Sequence, residues 1–248
     1  MIERNKNMRQ VYLIGTIVAI IAILVPTTIS AFPKNIYVSP NQSDDWYDTL
    51  HVHTINEAMD VSNNGDTIHV WTGVYVEDVY INKQISIIGN GIGQSIVIGS
   101  SSKYGVFEVS SSNVDISGFT ITGGKDMGIY VYAPNAMIHD NTICNNNYTG
   151  IELNGEMAVG CVIENNNINN NQGRGIYLKY GANNNVITNN VIENTNGYGI
   201  QIKYSDGNTI TYNSLIHCDV VGILLVDVDG LAPSGNTFSG CPVNIEVH

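Results

Sequence analysis

The 248-residue sequence predicts an all-β chain wound as a right-handed parallel β-helix with a short N-terminal capping helix, preceded by an export segment. Three observations predict it. A glycine followed by a β-branched residue recurs at intervals of 22 to 25 residues, as Gly105-Val106, Gly128-Ile129, Gly150-Ile151, Gly175-Ile176, Gly199-Ile200 and Gly222-Ile223. A second pattern, apolar-x-x-Asn-x-apolar, keeps the same period in a separate register, from Ile138 to Ile143, Ile163 to Ile168, Ile187 to Ile192 and Ile210 to Leu215. The chain also holds 33 asparagines and 25 glycines, residues that suit turns and left-handed backbone and are poor in helix interiors.

Taken in chain order, residues 1–31 come first. Arg4, Lys6 and Arg9 precede an uncharged apolar run from Val11 to Val25, followed by Pro26 and the small polar stretch that ends at Ala31. That is the layout of a secretory signal peptide. A spanning helix needs roughly 20 apolar residues, and because the uncharged stretch continues to Pro33 an uncleaved N-terminal membrane anchor is the alternative. Either reading puts the remainder, residues 32–248, outside the cytoplasm as one β-helix domain. Its sequence carries seven basic residues against 21 acidic ones, which disfavours nucleic acid and anionic membrane surfaces as partners. Contact with a membrane is expected only through the N-terminal segment, and the oligomeric state is open.

Residues 50–66 read as the N-terminal cap. Thr54 and Glu57 have capping-box spacing and open a short helix through Ala58, Met59 and Val61, which stops at Asn63-Asn64-Gly65. From about residue 67 to 245 the repeats take over. Each holds strands of three to five residues, such as Gly175 to Lys179 and Val186 to Thr188, separated by Asn and Gly. Strands this short cannot bury an apolar face alone. Stacked as coils at the ~4.8 Å strand spacing they place Ile on Ile around one continuous core. Asn141, Asn166, Asn190, Asn213 and Asn236 then form a column at one corner, where their amides bond rung to rung and satisfy buried backbone.

The stretch Thr54 to Asn90 resembles the opening segment of pectin-lyase-like β-helix proteins, in particular the NosD-type and carbohydrate-associated repeat families of microbial surface proteins. The matching features are the Ile-x-x-Ala helix at Ile55 to Ala58, Gly-Asp-Thr-Ile at Gly65 to Ile68, Gly-x-Tyr-x-Glu at Gly73 to Glu77, and Asn82-Lys83. With the repeats, the resemblance covers roughly residues 50–245 and implies the fold. It implies no single activity, since such scaffolds serve lyases, hydrolases, epimerases and non-catalytic surface proteins. The polygalacturonase motifs of the family have no match, Arg174 being the one arginine after residue 31. Of the family's Asp-Pro-His-Asp epimerase motif only His139-Asp140 survives, and it reads as a solvated turn.

Aligned on the Gly-Ile step, give or take one residue at the first, Glu108, Tyr130, Glu152, Tyr177 and Gln201 fall in one outward column. Asn154, Lys179 and Lys203 fall in the next, with Tyr180 and Tyr204 beside them. Tyrosine faces interleaved with carboxylates and amines on a long sheet suit an extended glycan, so Tyr130, Glu152, Tyr177, Lys179, Tyr180, Lys203 and Tyr204 are the candidate binding residues. Tyrosine is also a good strand former, and this decoration needs no ligand to explain it. Glu108 and Glu152 are the candidate catalytic carboxylates. Two rungs put them ~10 Å apart, slightly beyond the ~6.5 to 9.5 Å of inverting glycosidases.

Cys218 and Cys241 each follow a ladder position by three residues, which places them on neighbouring rungs within disulfide reach. A Cys218–Cys241 disulfide is expected in an exported chain, with Cys144 and Cys161 as separate packed thiols. Calcium is the one cofactor the residues suggest, at the acidic pair Asp227 and Asp229. His51 and His53, on one side of a strand with Asp44, Asp45 and Asp48 upstream, are a weaker transition-metal pattern. The sequence as a whole reads as a surface β-helix that binds a polysaccharide or another cell-envelope component without catalysis. A polysaccharide lyase, hydrolase or epimerase on the same face is one alternative, and a structural spacer of the envelope is another.

Overall fold

The computed structural model describes residues 32–101 and 104–248; the expected export segment at residues 1–31 lies outside the described residues. The described chain coils into a parallel β-helix whose strands belong to three sheets, of nine, eight and eight strands. One coil runs from Val162–Glu164 in the first sheet to Asn167–Asn169 in the second and Arg174–Lys179 in the third, then returns to the first at Val186–Thr188. Pairing holds identical positions in register from rung to rung: Ile138, Ile163, Ile187 and Ile210 stack in the first sheet, and Ile143, Ile168, Ile192 and Leu215 in the second. All eight are buried, and with Ile129, Ile151, Ile176, Ile200 and Ile223 of the third sheet they make one core.

The Gly-Ile repeat follows from this packing. A Cβ on Gly175 would meet Ile192 Cγ2 at 2.4 Å and the Gly199 carbonyl oxygen at 2.6 Å. The second residue of this third-sheet strand, Arg174–Lys179, therefore has no side chain, and the β-branched residue after it turns into the core.

Asparagine does two separate jobs at the corners. The residue before each inward corner position has a positive φ: Asp140, Asn165 and Asn189 lie at 54°, 55° and 56° at one corner, and Asn145, Asn170 and Asn194 at 55°, 55° and 53° at the next. Asn and Asp tolerate that left-handed geometry better than other residues with a Cβ. The following residue points inward and needs an amide. Asn190 Nδ2 donates to the carbonyls of Ile163 at 2.9 Å and Thr188 at 3.0 Å, while its Oδ1 accepts from the Asn166 backbone N–H at 3.0 Å. Asn141, Asn166, Asn213 and Asn236 repeat the pattern, and the Asn141 Oδ1 closes the series by accepting from Phe119 N–H at 3.0 Å. The expected ladder is present.

Two further ladders were not expected. Asn146 and Asn171 form one, with Asn146 N–H donating to Asn171 Oδ1 at 3.1 Å, and Thr195, Cys218 and Cys241 continue the column. Cys161 and Asn185 head the other, where Cys161 N–H donates to Asn185 Oδ1 at 2.8 Å and Asn185 N–H to Asn208 Oδ1 at 2.8 Å. Cys218 and Cys241 are thus neighbours in one column, as the spacing indicated, but the disulfide is not formed. Their sulfurs occupy the seats that amides hold lower down: Cys241 Sγ accepts from Cys218 N–H at 3.4 Å and donates to the Leu215 carbonyl at 3.7 Å. Burial pushes the Cys218 thiol up to about 12, which keeps it protonated. Cys161 is buried in its own ladder, and Cys144 lies in the second sheet in register with Asn169.

The residues of the opening segment clamp its helix, Ile55–Val61, to the first coil. The capping box forms as expected. Glu77 accepts from the N–H groups of Ile55 and Asn56, both at 2.9 Å, and so satisfies the helix start with an anion. Lys83 Nζ donates to the carbonyls of Met59, Asp60 and Ser62 at the other end. Asp66 accepts from Lys34 N–H at 2.9 Å and Asn63 N–H at 2.7 Å, while Gly65 takes φ 92° to end the turn. The helix buries Ile55, Ala58 and Met59 against the first strands.

A substitution inside the ladder tests this account. Asn190→Ala strands two buried carbonyls and one N–H, at about 1 to 3 kcal/mol for each unsatisfied group before relaxation. Equilibrium chemical denaturation is expected to show a loss of about 2 to 4 kcal/mol. Asn236→Ala, on the outermost rung, is expected to lose less than half as much; equal losses would contradict the ladder account.

Candidate functional site

The third sheet carries the candidate site. Its outward register reads Tyr80, Glu108, Tyr130, Glu152, Tyr177, Gln201, Leu224, Glu246, one residue per coil. The column expected from Glu108 to Gln201 is therefore correct at every position. Asn154, Lys179 and Lys203 are in register beside it. What the sequence did not show is that this face has two halves of different character.

One half is closed. Glu152 is only 2% exposed although it points away from the core, and Lys179 Nζ sits 3.0 Å from its Oε1. Burial raises the Glu152 pKa above the ordinary carboxylate range; the Lys179 ammonium pulls the other way and Asp126 adds to the rise. Lys179 also lies 5.2 Å from the Tyr177 ring centre and 5.4 Å from that of Tyr180. Arg174 is caged by Tyr177, Tyr148 and Tyr198, with its guanidinium 4.4, 4.8 and 5.8 Å from their ring centres, and its Nε donates to Gln201 Oε1. Glu152, Lys179 and Arg174 thus each already have a protein partner. Tyr180 and Tyr204 are not strand residues: they occupy left-handed turn positions at φ 57° and 52°, where their exposed rings stack at 6.4 Å.

The other half is open. Tyr104, Glu108, Tyr130, Tyr132 and Asn154 line a groove of about 310 Å³. Tyr104 and Tyr130 stack face to face, 5.5 Å between centres and 15° from parallel, and Tyr132 tilts against Tyr130 at 5.4 Å. Tyr132 Oη donates to Glu108 Oε1 at 3.1 Å, and Asn154 Nδ2 donates to Tyr130 Oη at 3.1 Å. Burial raises the pKa of both Tyr130 and Tyr132, so their hydroxyls stay neutral donors at neutral pH. A smaller groove of about 120 Å³ at Asp78, Tyr80 and Glu108 adjoins it.

The arrangement therefore brings Glu108 and Tyr130 together in the open groove and withdraws Glu152, Tyr177 and Lys179 into the closed half. Tyr130 stands on the rung between Glu108 and Glu152, so the two carboxylates do not face one another across a cleft. Tyr132 follows Tyr130 at the period of two that marks one strand face and was legible in principle. Tyr104 precedes its strand in a turn and carried no such signal.

The remaining expectations resolve locally. His139 is a strand residue of the first sheet rather than part of a solvated turn. Burial lowers its pKa, but Asp140 at 2.7 Å and Asp115 at 3.0 Å outweigh that and raise it. His51 packs on Tyr37 and Trp46 and lies 2.8 Å from Asp48, whereas His53 stacks on Tyr47 at 3.5 Å and lies 3.6 Å from Glu57. Asp227 takes a left-handed turn position at φ 50°, and Asp229 N–H donates to Asp206 Oδ1. Among the described residues no cluster of three or more His, Cys, Asp or Glu side chains has metal-binding geometry. No helix among them is long and apolar enough to cross a membrane.

Residues 127–247 match the sequence model of a family described as the right handed beta helix region. The structure superposes on pectate lyase Pel9A with a TM-score of 0.63 at 14% identity, covering 87% of this chain and 76% of that one. A mutant of the periplasmic alginate epimerase AlgG gives 0.52 at 18% identity, over 86% of this chain and 59% of that one. The chain has the right-handed parallel β-helix fold. The structural likenesses of this β-helix, at such identities, show fold alone. Its sequence is also 36% identical over 104 residues to a cell surface glycoprotein of Methanothermus fervidus, a match that spans 41% of this β-helix chain and 17% of the relative.

Lys179→Met tests the closed half. A folded-state pKa above the unfolded one means that the stability this carboxyl contributes is present below the unfolded pKa and lost as pH rises through the folded one. Removing Lys179 raises the folded value further. The variant is expected to lose about 3 kcal/mol near neutral pH, as for other broken buried pairs. The loss should shrink in acid, where Glu152 is protonated in both states. A loss independent of pH in denaturation experiments would contradict the pairing.

Proposed function

We propose that this β-helix is an extracytoplasmic, cell-surface protein that binds a polysaccharide or another glycan-bearing component of the cell envelope without cleaving or epimerising it. The observation that carries the reading is the groove of Tyr104, Glu108, Tyr130, Tyr132 and Asn154. It offers stacked aromatic faces beside fixed hydroxyl, amide and carboxylate groups on a flat, rigid sheet. Sugar rings pack their C–H faces on such rings while their hydroxyls bond the polar groups at the edge. The strands are held by the core rather than by loops, so little ordering cost accompanies binding. The partial likeness to a cell surface glycoprotein supports the location.

The same geometry argues against catalysis. Acid–base chemistry on a glycosidic linkage needs two titratable groups converging on one bond. Glu108 is held by Tyr132, and Glu152 is buried against Lys179 on the far side of Tyr130.

Incubation of the purified protein with a panel of polysaccharides, recording both retention on the polymer and release of new chain ends, tests this. Retention without new reducing or unsaturated ends is expected. Tyr130→Ala should weaken retention by about tenfold, the equivalent of losing roughly 1.4 kcal/mol of stacking. Glu108→Gln should have a smaller effect. New chain ends that disappear in Glu108→Gln would establish an enzyme, and retention by no polymer would overturn the binding role.

A further inference from the structure

A second surface, on the first sheet near the start of the helix, shares no residue with the groove just described. Two adjoining grooves, of about 250 and 170 Å³, meet at Trp71 and Asn90. Trp71 is 39% exposed, so that its ring is accessible from solvent. Its indole is fixed from behind by Trp46, with ring centres 5.3 Å apart, and edge-on by Tyr37 at 6.3 Å. Tyr37 is itself sandwiched between His51 and His69, each at 5.3 Å. The ring is thus a rigid platform.

The polar groups around it are amides and hydroxyls, with the His69 imidazole, 3.0 Å from Asn35 Oδ1, in the smaller groove. Asn90 Nδ2 donates to Thr72 Oγ1 at 2.9 Å and to Gln94 Oε1 at 3.2 Å, and on the opposite wall Gln42 Nε2 donates to Ser39 Oγ at 3.2 Å. No lysine or arginine lines either groove, and Asp44 and Asp45 sit in the same short turn as Trp46. A polyanion would meet repulsion without a compensating cation. Neutral donors and acceptors with fixed geometry beside an aromatic face match the hydroxyl array and C–H face of an uncharged sugar.

We propose that Trp71, Asn90, Thr72 and Gln42 form a second saccharide site, selective for uncharged sugar units. It stands or falls independently of the third-sheet groove. A polysaccharide crossing from one face to the other would be held by both sites, so that avidity exceeds either affinity alone.

The chain has two tryptophans, Trp46 and Trp71, and both lie here, so intrinsic tryptophan emission reports this site and not the other groove. The purified protein is titrated with short uncharged oligosaccharides of glucose, mannose and N-acetylglucosamine, and with oligogalacturonate as the charged control. A saturable emission change with at least one uncharged oligosaccharide and none with oligogalacturonate is expected. By calorimetry Trp71→Ala should weaken that binding by about tenfold, and Asn90→Ala by a smaller factor. Trp71→Phe, which keeps a ring on Trp46 should the alanine variant fail to fold, should retain part of the affinity. Tyr130→Ala and Glu108→Gln should leave the titration unchanged. Absence of any saturable response to the uncharged set, a response to the charged control alone, or a response lost in Tyr130→Ala but kept in Trp71→Ala would each overturn the proposal.

Discussion

The fold depends on how buried corner backbone finds its hydrogen bonds. A coil of some two dozen residues must turn three times, and each turn sends peptide groups toward an interior that holds no competing solvent. Strand pairing satisfies the straight segments but not the corners. Stacked amides supply what is missing: the side-chain N–H donors of Asn141, Asn166, Asn190 and Asn213 take carbonyls of the coil below, and each side-chain oxygen takes the backbone N–H of the neighbouring rung. Because each amide uses its neighbour, the corners are cooperative along the axis. The apolar stacks of isoleucine then follow, since a chain fixed at its corners has its registers fixed as well.

This explains what was legible in the sequence. The Gly-Ile step marks the point where the chain passes over the second sheet with no room for a Cβ, and the regular Asn marks one corner, so strand order and outward columns could be read directly. The ladder containing Asn146 and Asn171 was hidden because its later members are Thr195, Cys218 and Cys241, which break the residue pattern while keeping the position. The same substitution misled the cysteine reading: neighbouring-rung spacing is a necessary condition for a disulfide, but the sulfurs hold ladder bonds instead. The opening motif was legible as a resemblance, and its chemistry became clear only in three dimensions, where Glu77 and Lys83 prove to bind opposite ends of the helix.

The division of the third sheet into open and closed halves was not legible. Residue type places Glu108 and Glu152 in the same class, yet one lines a groove and the other is buried against Lys179. Burial of an outward-facing residue depends on the length and direction of its neighbours, here Lys179, Arg174 and three tyrosines, and a one-dimensional alternation does not carry that. Lys179 and Arg174 are engaged within the face, and the proposed binding role therefore rests on aromatic stacking and neutral hydrogen bonds in the open groove. In the proposed role such a surface would hold a polymer without supplying an acid and a base on either side of one bond.

The most direct test of that claim is hydroxyl-radical footprinting of tyrosine, with and without a polysaccharide that the protein retains. Protection of Tyr104, Tyr130 and Tyr132, with Tyr180 and Tyr204 as reactive as before, is the predicted result. Protection of Tyr180 and Tyr204 with the groove tyrosines unchanged would contradict the account and move recognition to the half that the structure shows already paired.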